Sequence, residues 1–154
     1  MWSWLPSRFK ICDPYLIFDS NRDGFNLNTL VNFSRETEPN IMIIKTKTGE
    51  IFGAFMTSTL KYNSGYYGDR DTFLWRFTPN PVKYAWTEGC SDYFIFASSK
   101  VLQVGGGGEG VGLSLDNELW HGKSQRCSAF NNEPLTEEEE GEFECVHVEI
   151  YTCK

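Results

Sequence analysis

Histidine is scarce in this chain. Only His121 and His147 occur among 154 residues, which leaves little material for general-base catalysis near neutral pH. Positive charge is also short: 14 Lys and Arg stand against 21 Asp and Glu, a net charge of −7. A broad basic footprint for nucleic acid or anionic lipid is therefore missing, and a cationic patch on a protein is the better complement. No segment approaches the roughly 20 apolar residues of a membrane-spanning helix. The opening Met-Trp-Ser-Trp-Leu-Pro-Ser-Arg lacks the continuous apolar centre of a signal peptide. The expectation is a cytoplasmic chain, monomeric alone and without direct membrane insertion. No Cys-x-x-Cys pair occurs either, which removes the usual zinc and thioredoxin-like signatures. The five cysteines, Cys12, Cys90, Cys127, Cys145 and Cys153, read mostly as reduced packing residues. The Asn32-Phe33-Ser34 sequon falls in an expected helix and reads as chance.

What is present is aromatic and β-branched. Twelve Phe, seven Tyr and five Trp favour strands, and the length suits one domain, residues 1–154, able to bury roughly two-thirds of its unfolded surface. Tyr15–Phe18, Ile41–Lys45, Ile51–Phe55, Thr72–Phe77, Val82–Trp86, Tyr93–Ala97, Val101–Val104, Val111–Leu115 and Cys145–Tyr151 are short runs bounded by turn residues. Phe73, Trp75 and Phe77 share one face of their run, opposite Leu74 and Arg76. Such alternation needs a second layer, so the predicted fold is mainly β (α+β), a two-sheet antiparallel β-sandwich flanked by short helices. The hairpin around Thr46-Lys47-Thr48-Gly49 joins two almost continuously apolar strands, the pattern of burial on both faces. Leu27, Leu30, Val31 and Ser34 follow Asn26 at helical spacing, with Asn26 as N-cap. Thr136 with Glu139 resembles a capping box for a helical turn ended by Gly141. Glu137–Glu140, Glu142 and Glu144 form an acidic run that reads first as a solvated face.

Six glycines crowd residues 105–112, between Val101–Val104 and Val111–Leu115. Gly105–Gly110 satisfies Gly-x-Gly-x-x-Gly, but the residues that follow alternate like a strand, whereas a dinucleotide site needs a helix there. The run reads instead as a place where chain, ligand or partner approaches the backbone closely.

Catalytic constellations are weak. Cys145, His147 and Glu149 are expected on one face of the last strand, yet alternate strand residues stand about 6.6–6.8 Å apart, too far for a nucleophile and its base. A metal among the three lacks a fourth ligand. Asp69 and Asp71 flank Arg70 in what reads as an acidic turn, and His121-Gly122-Lys123-Ser124 lacks a hydrolase elbow.

Several motifs in order carry a resemblance. They are Ile43-Ile44-Lys45 with Ile51-Phe52-Gly53-Ala54-Phe55, Tyr67-Gly68-Asp69-Arg70-Asp71-Thr72-Phe73-Leu74-Trp75, the Gly105–Gly108 run, Leu119-Trp120-His121-Gly122-Lys123-Ser124 and Phe130-Asn131-Asn132-Glu133-Pro134-Leu135. Through nearly its whole length the chain resembles a TLDc domain, as found in oxidation-resistance proteins and at the C-terminus of some TBC-domain proteins. Trp2-Ser3-Trp4-Leu5-Pro6 and Leu27-Asn28-Thr29-Leu30 look closest to the TBC-linked subgroup. Without a TBC domain, the expectation is an excised domain or a stand-alone member. One departure is Gly68-Asp69-Arg70-Asp71, where the family usually has Gly-x-Gly-Glu.

The resemblance implies a two-sheet β-sandwich flanked by short helices, no established catalytic activity, a role in oxidative-stress resistance and binding to V-ATPase subunits; from the residues, no cofactor or metal is expected. It also implies recruitment through that partner to endosomal, lysosomal or synaptic vesicle membranes. The partner-binding or site-shaping residues expected are Gly53, Gly68, Asp71, Gly105, Gly106, Gly107, Gly108, Gly122, Asn131 and Asn132. Two alternatives remain open: a cysteine-based peroxide-scavenging role for an exposed cysteine, Cys90 or Cys127 by loop position, with Cys127 favoured because it follows Lys123 and Arg126, and a vesicle-trafficking scaffold.

Overall fold

A computed structural model describes residues 4–5, 12–107 and 110–153. In chain order the strands are β1 (Pro14–Asp19), β2 (Asn40–Thr46), β3 (Ile51–Met56), β4 (Phe73–Arg76), β5 (Val82–Ala85), β6 (Ile95–Ala97), β7 (Val101–Val104), β8 (Leu113–Asp116), β9 (His121–Lys123) and β10 (Glu142–Cys153). Two helices, α1 (Ser20–Asp23) and α2 (Leu27–Ser34), separate β1 from β2. The fold is mainly β and its strand pairs are antiparallel, as predicted.

The two layers are not separate sheets. Hydrogen bonds run in one path, β5-β4-β3-β2-β10-β9-β8-β7-β6, with β1 also on β10. The long β10 belongs to both layers: its first three residues pair with β9, and the stretch from Cys145 onward pairs with β2 and β1. A bulge between Cys145 and His147 lets β10 do this. The extra residue, Val146, is exposed, and the alternation reverses there. Phe143 and Cys145 point inward before it, Val148 and Ile150 after it. The expectation that Cys145, His147 and Glu149 share a face is therefore wrong, because a one-residue bulge moves every later side chain to the other side.

The layers close on one core that joins Met42, Ile44, Phe52 and Leu74 to Ile95, Leu102, Val104 and Leu115. Phe52 meets Phe143 edge-on across it, ring centroids 4.9 Å apart. The first layer, β1 to β5 with the C-terminal part of β10, is also apolar on its outer face. Ile41, Phe55, Phe73 and Trp75 form a second cluster there with Leu5, and Trp4 packs against it. Burial on both faces explains the continuous apolar pattern of β2 and β3.

Asn26 caps α2 through its side chain, which accepts from Thr29 N–H, and Leu27, Leu30, Val31 and Ser34 are its buried positions. The capping box at Thr136 does not form. The 3₁₀ turn begins later, at Glu139–Gly141, with no side-chain cap. Thr136 donates instead to Glu50, whose carboxylate also accepts from Glu137 N–H. The Thr136 hydroxyl also accepts locally, from Glu138 N–H (3.1 Å) rather than from the Glu139 N–H that a capping box needs.

Two cysteines depart from the expectation of reduced packing residues: Cys12 and Cys153 form a disulfide. Cys90, Cys127 and Cys145 are free thiols. Pro14 pairs with Cys153 across β1 and β10, so this register brings two cysteines 141 positions apart in sequence together.

Candidate functional site

The glycine run leaves β7 at one end of the second layer and is threaded between two other segments of the chain. Gly105 N–H donates to Phe94 C=O (2.7 Å) and Gly106 N–H to Tyr93 C=O (2.9 Å) on one side. On the other, Ser128 N–H donates to Gly107 C=O and Ala129 N–H to Gly106 C=O. A Cβ on Gly105 would lie 2.8 Å from the Phe130 ring, and one on Gly106 would clash with the Tyr66 hydroxyl and ring edge. Gly105 and Gly107 also take left-handed φ values of 84° and 83°, which other residues adopt at a cost. The close approach expected from the sequence is chain against chain, and the backbone fills its own slot. The element that follows is the strand β8, where a dinucleotide cradle has a helix. Gly108 lies outside the described residues.

Asn132 secures the same loop end from inside. Its buried side chain accepts from Cys127 N–H (3.2 Å) and donates to the carbonyls of Gln125 and Glu133 (2.9 Å each). Asn131 instead faces solvent at φ 48° and accepts from Arg126 at 3.5 Å. Sequence reasoning passed over Ser124, which is fully buried, donates to Gly112 C=O (2.6 Å) and accepts from Leu135 N–H (2.7 Å). A serine after a basic residue carries no local signal of that role. Tyr66 is a second omission: it donates to Gln103 and packs against Tyr93 and Phe96.

The turn after Tyr67 adjoins this end. Tyr67 bridges to Ile95, and Gly68, at φ 103°, abuts the Ile95 and Phe94 side chains. Asp69 shapes the turn, accepting from Thr57 Oγ1 (2.6 Å) and Asp71 N–H (3.0 Å). Asp71 itself is exposed. Arg70 stacks on Trp86 at 4.1 Å and approaches Asp92 at 3.6 Å, so the departure from the family pattern gives this turn an exposed, aromatic-supported cation. Gly53 and Gly122 are elsewhere. Gly53 is in β3, where a Cβ would strike Met42 C=O, and Gly122 is in β9 against Phe143 and Ser114. The structure thus brings together Gly68, Gly105, Gly106, Gly107, Asn131 and Asn132 at one end, with Asp71 on the adjoining turn.

The reactive groups are dispersed. Cys127 is buried rather than exposed, and burial pushes its thiol up, opposite to what a peroxidatic cysteine requires. Cys145 is pushed up to about 12 by burial. His147 hydrogen-bonds Asp19 (2.8 Å), and Glu149 lies near both. Burial disfavours the Asp19 carboxylate, but the Asn21 N–H and His147 outweigh it and hold the group below its ordinary value. His121 is exposed beside Asp116 and Glu144, at 3.5 and 4.0 Å. It borders an open depression of about 400 Å³ flanked by Glu138, Glu139 and Glu142. The acidic run is a solvated face, since Glu137 to Glu140, Glu142 and Glu144 are all exposed.

A family model for the TLDc domain matches residues 1–154. The chain belongs to the TLDc family. This TLDc chain is 34% identical over 168 aligned residues to the GTPase-activating protein skywalker of Drosophila melanogaster, covering 98% of the chain and 28% of that protein. It is 37% identical to nuclear receptor coactivator 7 of Mus musculus, with 96% of the chain and 16% of the relative covered. Against oxidation resistance protein 1 of Homo sapiens it is 35% identical, the coverage being 81% and 14%. The TLDc chain therefore spans less than a third of each of these relatives.

Proposed function

We propose that this TLDc domain is a non-enzymatic interaction module that binds the V-ATPase and regulates its assembly or activity, in support of resistance to oxidative stress. The observation that carries the reading is the glycine-shaped loop end, in a chain of a family that includes an oxidation resistance protein. Backbone hydrogen bonds and buried Asn132 fix that end before any partner arrives, so little ordering entropy is lost on docking. Arg70, Asp71 and Asn131 are among its exposed polar groups. Regulation needs only differential affinity: about 1.4 kcal/mol in favour of one assembly state of the pump shifts its equilibrium tenfold. On this reading the protein works in the cytoplasm and reaches endosomal, lysosomal or synaptic vesicle membranes through its partner.

The test incubates the purified protein with intact V-ATPase and follows co-sedimentation, ATPase rate and release of the soluble sector. Binding at micromolar concentration is expected, weakened by R70E at an unchanged melting temperature. Failure to co-sediment at that concentration would remove the proposal. Protection against peroxide that persists without pump binding would favour a different partner.

A further inference from the structure

The Cys12–Cys153 bridge lies beside the outer cluster of the first layer. Cys153 packs against that cluster, and both cysteines are partly exposed residues. Trp4 and Leu5 cover the same face. Leu5 is buried with Phe55, Phe73 and Trp75, and the Trp4 ring meets Phe77 at 6.0 Å. Lys83 reaches over the Phe73 ring to donate its ammonium to Trp4 C=O (2.7 Å). Trp75 Nε1, in the same cluster, is buried with no hydrogen-bond partner among the described residues. A buried N–H without a partner counts against the covered state, which the apolar contacts and the Lys83 hydrogen bond offset.

We propose that Cys12 and Cys153 are a redox modification site, a dithiol oxidised by hydroperoxide whose disulfide latches Trp4 and Leu5 over the outer apolar face of the first layer. In the oxidising step one thiolate attacks the peroxide oxygen, the O–O bond breaks, and a sulfenic acid forms as hydroxide leaves, or alkoxide from an organic hydroperoxide, and takes up the proton the thiol lost on ionising. The second thiolate then displaces hydroxide from that sulfur, forming the S–S bond. With hydrogen peroxide, two electrons and two protons leave the thiols and two waters are produced. A dithiol reductant reverses the change by thiol–disulfide exchange and is itself oxidised to a disulfide. In the reduced protein the tie seven residues beyond Leu5 is gone. Trp4 and Leu5 then leave more readily and Ile41, Phe55, Phe73 and Trp75 open to solvent. The inference is independent of any pump contact.

The test uses the full chain, fully reduced and then treated with hydrogen peroxide. Peptide mapping without reductant should recover a Cys12–Cys153 link, and binding of the apolar dye ANS should fall several-fold on oxidation while far-UV circular dichroism stays native. C153S should show high dye binding under both conditions, with C12S as its replacement if C153S does not fold. The double variant W4A/L5A should form the link yet keep high dye binding. Failure of peroxide to link the two cysteines would overturn the proposal, as would equal dye binding by the linked and reduced wild-type protein.

Discussion

The two layers of this TLDc domain are ordered by different means. In the first layer, side chains do the holding on both faces: Phe52 and Leu74 point to the central core, Phe55, Phe73 and Trp75 to the outer cluster. In the second layer only the inward residues of β7 and β8 are fully buried, a pattern of alternate burial. At its loop end, glycines admit backbone to backbone and buried amide and hydroxyl groups close the gaps. Stability and surface shape can therefore be disturbed separately. A partner that reads the loop end is served by the second arrangement, because its form is set by hydrogen bonds of fixed geometry rather than by side chains that repack.

The comparison breaks most sharply on aromatic truncation. F55A and F52A remove rings from opposite faces of β3, both fully buried, and each is expected to cost about 3–5 kcal/mol in urea unfolding. If F55A proved nearly neutral, the outer cluster would contribute nothing and the first layer would resemble the second. A smaller effect sharpens the other side. G105A places a methyl against Phe130 and Cys127 at a left-handed φ, and a loss of about 1–3 kcal/mol is expected. G65A meets open space and should unfold within experimental error of wild type.

Much of the first layer was legible in the sequence, because burial on two faces leaves long apolar runs and burial on one leaves alternation. Ile41–Lys45, Ile51–Phe55 and the Phe73, Trp75, Phe77 face were all found this way, and Asn26 marked its helix because an N-cap acts within one turn. What escaped notice depends on distant partners. Val146 looks like any strand residue, and only the need for β10 to serve both layers makes it a bulge. Thr136 had the residues of a capping box but found Glu50, 86 positions away in sequence. The three-residue β9 is too short to show a period. Cys12 and Cys153 offered no spacing signal, since the β1–β10 register brings them together. At the candidate site the glycines announced close approach, but not that the approaching chain would be residues 93–94 and 127–130. Asn132 was expected there as a polar group of the loop, but neither its burial nor that of Ser124 could be read from neighbouring residues.

The central claim is that the glycine run is a packed, pre-ordered part of the loop end, and native-state hydrogen exchange at the Gly105, Gly106 and Gly112 amides tests it most directly. These three donate to Phe94, Tyr93 and Gly105 carbonyls. They should exchange as slowly as amides of β7 and β8, opening only with the surrounding structure. Exchange near the rate of an unstructured peptide, with β7 and β8 still protected, would contradict the account and leave no fixed surface for a partner to read.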